Sequence, residues 1–174
     1  SDRSRGWPVV PETEAQTKFV REWAARATRS GASRGAVTNA ALPVADRIRG
    51  MLLGLALGDA TGESLRLGQP GRADWTQHTA MALCLAESLL ATGGNDARDQ
   101  MERYLRWQRD GHLSARGLPG QATPDVARAI ATWQWRGLPQ AGSHDPRDRS
   151  TAALPRVVSA VAYALAEPAA AVAL

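Results

Sequence analysis

The chain has 174 residues, enough to bury one respectable core, so one domain plus an extension is expected. Hydrophobic residues make up 44% and aromatics 5%, with Ala, Leu and Arg dominant, which favours helices over sheets. The net charge of +4 is uneven: residues 1–49 hold nine Lys/Arg against five Asp/Glu, and the remainder holds twelve of each. A nucleic-acid face on the main domain is therefore not expected, and the surplus reads as a solvated arm. A single cysteine, Cys84, excludes a disulfide framework and fits a small buried core residue. No signal peptide and no apolar run long enough to span a bilayer are found, so a soluble cytoplasmic protein is the expectation.

In chain order, residues 1–10 read as a tail. Glu12–Arg29 reads as a helix with Phe19, Trp23 and Ala27 on one stripe, and Ser30–Pro43 as a linker. The domain boundary is placed here, giving a basic extension over 1–43 and a helical domain over 44–174. Asp46 opens the next helix, in which Gly50, Gly54 and Gly58 form one bare stripe. Each interior glycine costs roughly 1 kcal/mol relative to alanine, so close approach of a neighbouring helix is expected there. Asp59 and Glu63 follow at its end, where carboxylates serve either as solvated helix-end groups or as site residues.

The stretch Asp74–Leu90 joins a polar cluster, Thr76-Gln77-His78-Thr79, to the most apolar helix of the chain. Thr76 or Thr79 can cap that helix, whose N-terminal N–H groups attract anions. A plain cap needs only one of the four residues. Gly93-Gly94 ends the helix, and Asn95 or Asp96 caps the next, Ala97–Asp110. Its inward stripe is predicted as Met101, Tyr104, Leu105 and Gln108, with Arg98, Arg103, Arg106 and Arg109 outside. His112 is expected to bond to the preceding helix end. Thr123-Pro124-Asp125 starts another helix, with Val126, Ile130 and Trp133 buried and Gly137 at its stop. Trp133 and Trp135 face different ways. Pro155 opens the last helix, with Val157, Val158, Val161 and Leu165 predicted to face inward.

Several of these segments resemble one family. D-W-T-Q-H-T-A-M-A-L-C-L-A-E-S-L-L resembles the W-T-D-D-T-x-M-A-L-x-L-A-E-S-L-L signature of ADP-ribosylglycohydrolases. The run from Arg47 to Gly62 is similar to that family's R-x-x-G-x-x-x-G-x-x-x-G-D-A-x-G opening, and G-L-P-Q-A-G-S-H-D-P to its G-x-P-x-A-G-S-x-D-P connection. Over residues 46–167 the resemblance implies an all-α fold, a compact orthogonal helical bundle of the ADP-ribosylglycohydrolase type. It also implies removal of ADP-ribose from modified acceptors, with two magnesium ions held in part by the Thr-Asp-Asp of the signature.

This chain departs from the pattern at the positions that matter most. The two aspartates are Gln77 and His78, and the loop from Ser114 to Pro124 has no aspartate where the family shows Asp-Ile-Gly. Of the family's Gly-Asn-Gly-Ser-Leu-Met-Arg run, only the leucine and arginine positions persist clearly, at Leu154 and Arg156. The Asp-x-Asp-Thr cluster that the family adds later is absent from these residues. Magnesium wants carboxylate oxygens in octahedral array, and this chain has none at the two aspartate positions of the signature.

The expectation is a degenerate family member, C-terminally short, that acts as a binding or interaction module for an ADP-ribose-like ligand without a cofactor. Its ligand-binding positions would be Thr76, Gln77, His78 and Arg156, the first three being the vestigial metal positions. The alternative is an active hydrolase with a rearranged or partner-completed magnesium site, with Glu63 or Asp59 as base. Apolar faces left uncovered predict a protein partner or a homodimer, with no nucleic acid and no membrane as partners.

Overall fold

A computed structural model describes residues 42–69, 74–145 and 147–168. All but Leu42 lie in the compact unit Pro43–Leu174. The predicted Glu12–Arg29 helix and nearly all of the linker lie outside the described residues. Among those described, the elements are all helical: α1 (Val44–Arg66), α2 (Gln77–Thr92), α3 (Ala97–Asp110), α4 (Pro124–Arg136), a 3₁₀ turn (Leu154–Arg156) and α5 (Val157–Ala166). The protein is all-α, as its composition implies.

The punctuation follows local chemistry. Gly93, Gly111 and Gly137 end α2, α3 and α4 in the left-handed conformation, with φ of 71°, 76° and 68°. A residue without Cβ takes that turn at least cost. Asp96 caps α3 by accepting from the backbone N–H groups of Arg98 and Asp99.

The core lies between three helices. Ala80, Met81 and Cys84 of α2 meet Met101, Tyr104 and Trp107 of α3 and Val126, Ile130 and Trp133 of α4. Trp107, Leu89 and Ile130 are the largest fully buried side chains, and each contributes roughly 1.5–3 kcal/mol by leaving water. The other side of α2 packs on α5, where the Ser159 hydroxyl donates to the Ala82 carbonyl at 2.6 Å in a buried contact. Helix α2 is thus covered on most of its circumference, as its continuous apolar run predicts.

Four expectations need correction. A Cβ placed on Gly50, Gly54 or Gly58 would meet nothing within 4 Å, so no helix approaches that stripe among the described residues. Leu53, Leu57 and Leu65 beside it are exposed as well. In α3, Trp107 and Arg103 are buried while Leu105 and Gln108 are only half-buried. Arg103 turns inward because its guanidinium pairs with Asp99 at 2.6 Å and with Glu87 of α2 at 2.5 Å, which neutralise it at the helix seam.

His112 bonds to its own helix end only through its backbone N–H, which donates to the Arg106 carbonyl at 3.5 Å, and not through its ring. Its Nε2 lies 2.7 Å from a carboxylate oxygen of Glu87. In α5 the buried residues are Ser159, Ala162 and Tyr163, whereas Val157 and Val161 face solvent. The small Ser159 and Ala162 let α5 lie close on α2, and that contact overrides the apolar count.

The loop after α4 is tied back to its start, since Ser150 donates its hydroxyl to Asp125. The Ser150 and Thr123 hydroxyls hold the Asp125 carboxyl down, from its ordinary 3.8 to about 2. A carboxyl depressed in the folded state adds stability above its ordinary pKa, and that stability is lost as pH falls through the folded value. Ser150→Ala is therefore expected to move acid unfolding to higher pH, read by circular dichroism over the window from about 4 down to 2.

Candidate functional site

The end of α1 and the start of α2 are joined by one carboxylate. Asp59 Oδ2 accepts from the backbone N–H of Thr76 at 2.8 Å, the N–H of Thr79 at 3.1 Å and the Thr79 hydroxyl at 2.8 Å. Its Oδ1 accepts from the Thr76 hydroxyl at 2.7 Å. Four donors therefore converge on a group that sits at the positive end of α2 and satisfies its unpaired amides. Thr76 in turn accepts from the His78 N–H at 3.3 Å as the N-cap of α2.

Because the one Thr76 hydroxyl proton goes to Asp59, its oxygen can only accept from other groups. His78 Nδ1 lies 3.4 Å from that oxygen and can donate to it only in the tautomer that carries the proton on Nδ1.

Gln77 is buried and turns to Thr123. Its Oε1 accepts from the Thr123 N–H at 2.9 Å, and its Nε2 donates to the Thr123 hydroxyl at 3.0 Å. That closed pair clamps the start of α2 to the start of α4. It also explains why Thr123 does not cap its own helix with its side chain. Gln77→Ala would leave the Thr123 amide without this partner, and about 1.5 kcal/mol of stability should disappear in a urea titration.

Thr76, Gln77 and His78 open onto a cavity of about 510 Å³ whose wall also includes Glu63, Trp75 and Thr123. Glu63 forms a two-bond pair with Arg66, at 2.6 and 2.7 Å. Across the mouth, Arg116 pairs with Asp74 at 2.9 Å. Trp75 Nε1 donates to the Leu113 carbonyl at 3.1 Å, and Leu113 is held at a φ of 57°, a conformation costly for leucine. The far side is built on Trp107, which Gly120 touches so closely that a Cβ there would lie 2.2 Å from the ring.

Of the six residues expected at the site, the structure brings four to this cavity: Glu63, Thr76, Gln77 and His78. Asp59 lies behind it, engaged by the threonines. Arg156 is not part of it. Its guanidinium stacks over the Tyr104 ring, 5.4 Å from the centroid, and faces a second cavity. Thr123, Gly120 and the Asp74–Arg116 pair were missed, because their contacts span 13 to 46 positions and carry no local pattern.

The model of the family described as ADP-ribosylglycohydrolase matches residues 38–174. The chain belongs to the ADP-ribosylglycohydrolase family. Among its relatives is an ADP-ribosylarginine hydrolase Tri1 of Pseudomonas putida (strain GB-1), 33% identical over 117 residues, which cover 58% of this chain and 32% of the relative. A second relative of the same name, from Serratia proteamaculans (strain 568), is 32% identical over 127 residues, covering 64% of this chain and 35% of the relative. The chain spans about a third of the length of these curated relatives.

The described residues do not fit a pair of magnesium ions. Both Asp59 oxygens are engaged by threonine donors, and the Gln77 carbonyl oxygen is committed to Thr123. His78 offers nitrogen to a cation that prefers oxygen. Among the described residues, no group of three His, Cys, Asp or Glu side chains is arranged to hold a metal ion.

Proposed function

We propose that this chain is a binding module of the ADP-ribosylglycohydrolase family that holds an ADP-ribose-like ligand in the cavity beside Thr76–Thr79 without magnesium chemistry. The observation that carries this reading is the closed state of the signature: Gln77 is locked on Thr123, and Asp59 is saturated by Thr76 and Thr79. A cavity with aromatic walls and paired rim charges is suited to binding, whereas hydrolysis by metal-activated water needs free carboxylates. A protein partner or a second copy belongs to the same reading, as does cytoplasmic residence. No described helix is long and apolar enough to cross a membrane.

A second reading is favoured by the names of the relatives. In it, the chain contributes to an active hydrolase of ADP-ribosyl bonds, with magnesium bound at a site completed by further residues. Glu63, at the cavity wall, would then serve as base for water attacking the anomeric carbon.

Calorimetric titration of ADP-ribose with and without magnesium separates the two, alongside an assay for ADP-ribose release from ADP-ribosylarginine. Binding independent of magnesium, with no release, is the expected result. Magnesium-dependent binding with turnover would establish the hydrolase instead. No binding in either condition would rule out the ligand and leave an interaction scaffold.

A further inference from the structure

One wall of the first cavity is the loop that follows α3, which supplies Ser114, Arg116, Pro119 and Gln121 to its lining. The loop folds back on itself so tightly that a Cβ on Gly111 would lie 2.5 Å from the backbone of Gly117 and Leu118. Its start and middle therefore move together. Within it, Leu113 is held at a φ of 57°, where a side chain crowds the following carbonyl. A residue in that conformation persists only where its surroundings hold it there.

Two bonds to fixed points supply that hold. The Leu113 carbonyl accepts from Trp75 Nε1 at 3.1 Å, just before the start of α2. The ring of the preceding residue, His112, lies 2.7 Å from Glu87 Oε2, toward the other end of the same helix. Glu87 is itself well fixed, because that one oxygen is also 2.5 Å from Arg103 and 3.9 Å from Arg106. Asp99 in turn pairs with Arg103 at 2.6 Å. Burial pushes the Glu87 carboxyl up, but the hydrogen bonds from His112 and Arg103 outweigh it and hold it below its ordinary 4.5. An ionised carboxylate only accepts, so His112 Nε2 is the donor.

We propose that Glu87 and His112 form a latch that holds Leu113 in the left-handed conformation and thereby positions Trp75 and the loop wall of the first cavity. Neither residue lines that cavity, so both are positioning residues. With the latch open, Leu113 relaxes to ordinary backbone, its carbonyl leaves Trp75, and the wall from Ser114 to Gln121 shifts with it. The consequence for ADP-ribose rests on the reading of the first cavity as the ligand site, whereas the latch itself does not.

The test is hydrogen exchange by mass spectrometry on the full chain, paired with ADP-ribose titration. His112→Ala is expected to speed exchange of the amides from 112 to 121 about tenfold while leaving the core of α2 and α3 unchanged. ADP-ribose affinity should fall about fivefold or more, since the wall is no longer pre-organised. His112→Gln, whose side-chain N–H can reach the same carboxylate, should restore both. In a Leu113→Gly background the left-handed turn needs no restraint, so His112→Ala should there change loop exchange by less than about twofold. A bond that only added stability would act equally in both backgrounds. Unchanged loop exchange in His112→Ala would overturn the latch, as would an equal effect with Gly at 113. Loop exchange as expected in a protein that binds no ADP-ribose would instead sink the ligand reading and leave the latch standing.

Discussion

Asp59→Ala is expected to lower the unfolding free energy by about 3 kcal/mol, because hydrogen bonds to a charged acceptor are each worth about 1.5–3 kcal/mol and do not add fully. The carboxylate accepts from two backbone amides and two hydroxyls, so its removal uncaps α2 and separates it from α1 in one step. Asp59→Asn keeps one oxygen acceptor but turns an amide N–H₂ toward donors, and it should also destabilise, by a smaller amount. Urea denaturation of the three proteins checks this. If Asp59 were instead a catalytic base, the asparagine variant would keep wild-type stability and lose only turnover. A midpoint unchanged in both variants would refute the positioning role.

The second large effect is expected at Gly120. A Cβ there would lie 2.2 to 2.6 Å from three atoms of the Trp107 indole, and Trp107 is 2% exposed with no room to retreat. The Gly120 N–H also donates to the Trp107 carbonyl at 3.0 Å, so the loop is pinned at the point where it would have to move. Overpacking of a core of this kind costs about 1–3 kcal/mol, and Gly120→Ala should fall at the upper end. Because the displaced loop forms one wall of the first cavity, ADP-ribose binding should weaken in parallel. Gly94→Ala, where an added Cβ meets nothing within 4 Å, serves as control and should change stability by no more than about 0.5 kcal/mol. Thermal melts of both variants, followed by ADP-ribose titration, give the answer.

Both effects concern the frame around the cavity. In the second reading of the function, Glu63 is the group that needs to be free, and its pairing with Arg66 is exposed and therefore weak. Asp59 has no such freedom. The two carboxylates, four positions apart on α1, stand in different roles because one meets the start of α2 and the other meets the cavity.

The sequence by itself determined what depends on near neighbours. Glycine at 93, 111 and 137 ends helices because the left-handed turn needs no Cβ, and Asp96 caps α3 because its oxygen reaches amides two and three residues on. The unbroken apolar run made α2 central, and the family motifs lie in their order along the chain. The substitution of the signature acids by Gln77 and His78 was also legible, since identity needs no coordinates.

Tertiary structure alone decided how those residues are used. Gln77 meets Thr123 across 46 positions, Arg103 turns inward to Glu87 of another helix, and Arg156 stands over Tyr104 instead of joining the first cavity. The glycine stripe of α1 and the valines of α5 carry strong local signals for burial, yet both face outward among the described residues. Periodicity reports that a face is apolar or smooth. Which face is covered depends on the shape of the partner helix, and small residues such as Ser159 and Ala162 win that contact because they allow the closest approach.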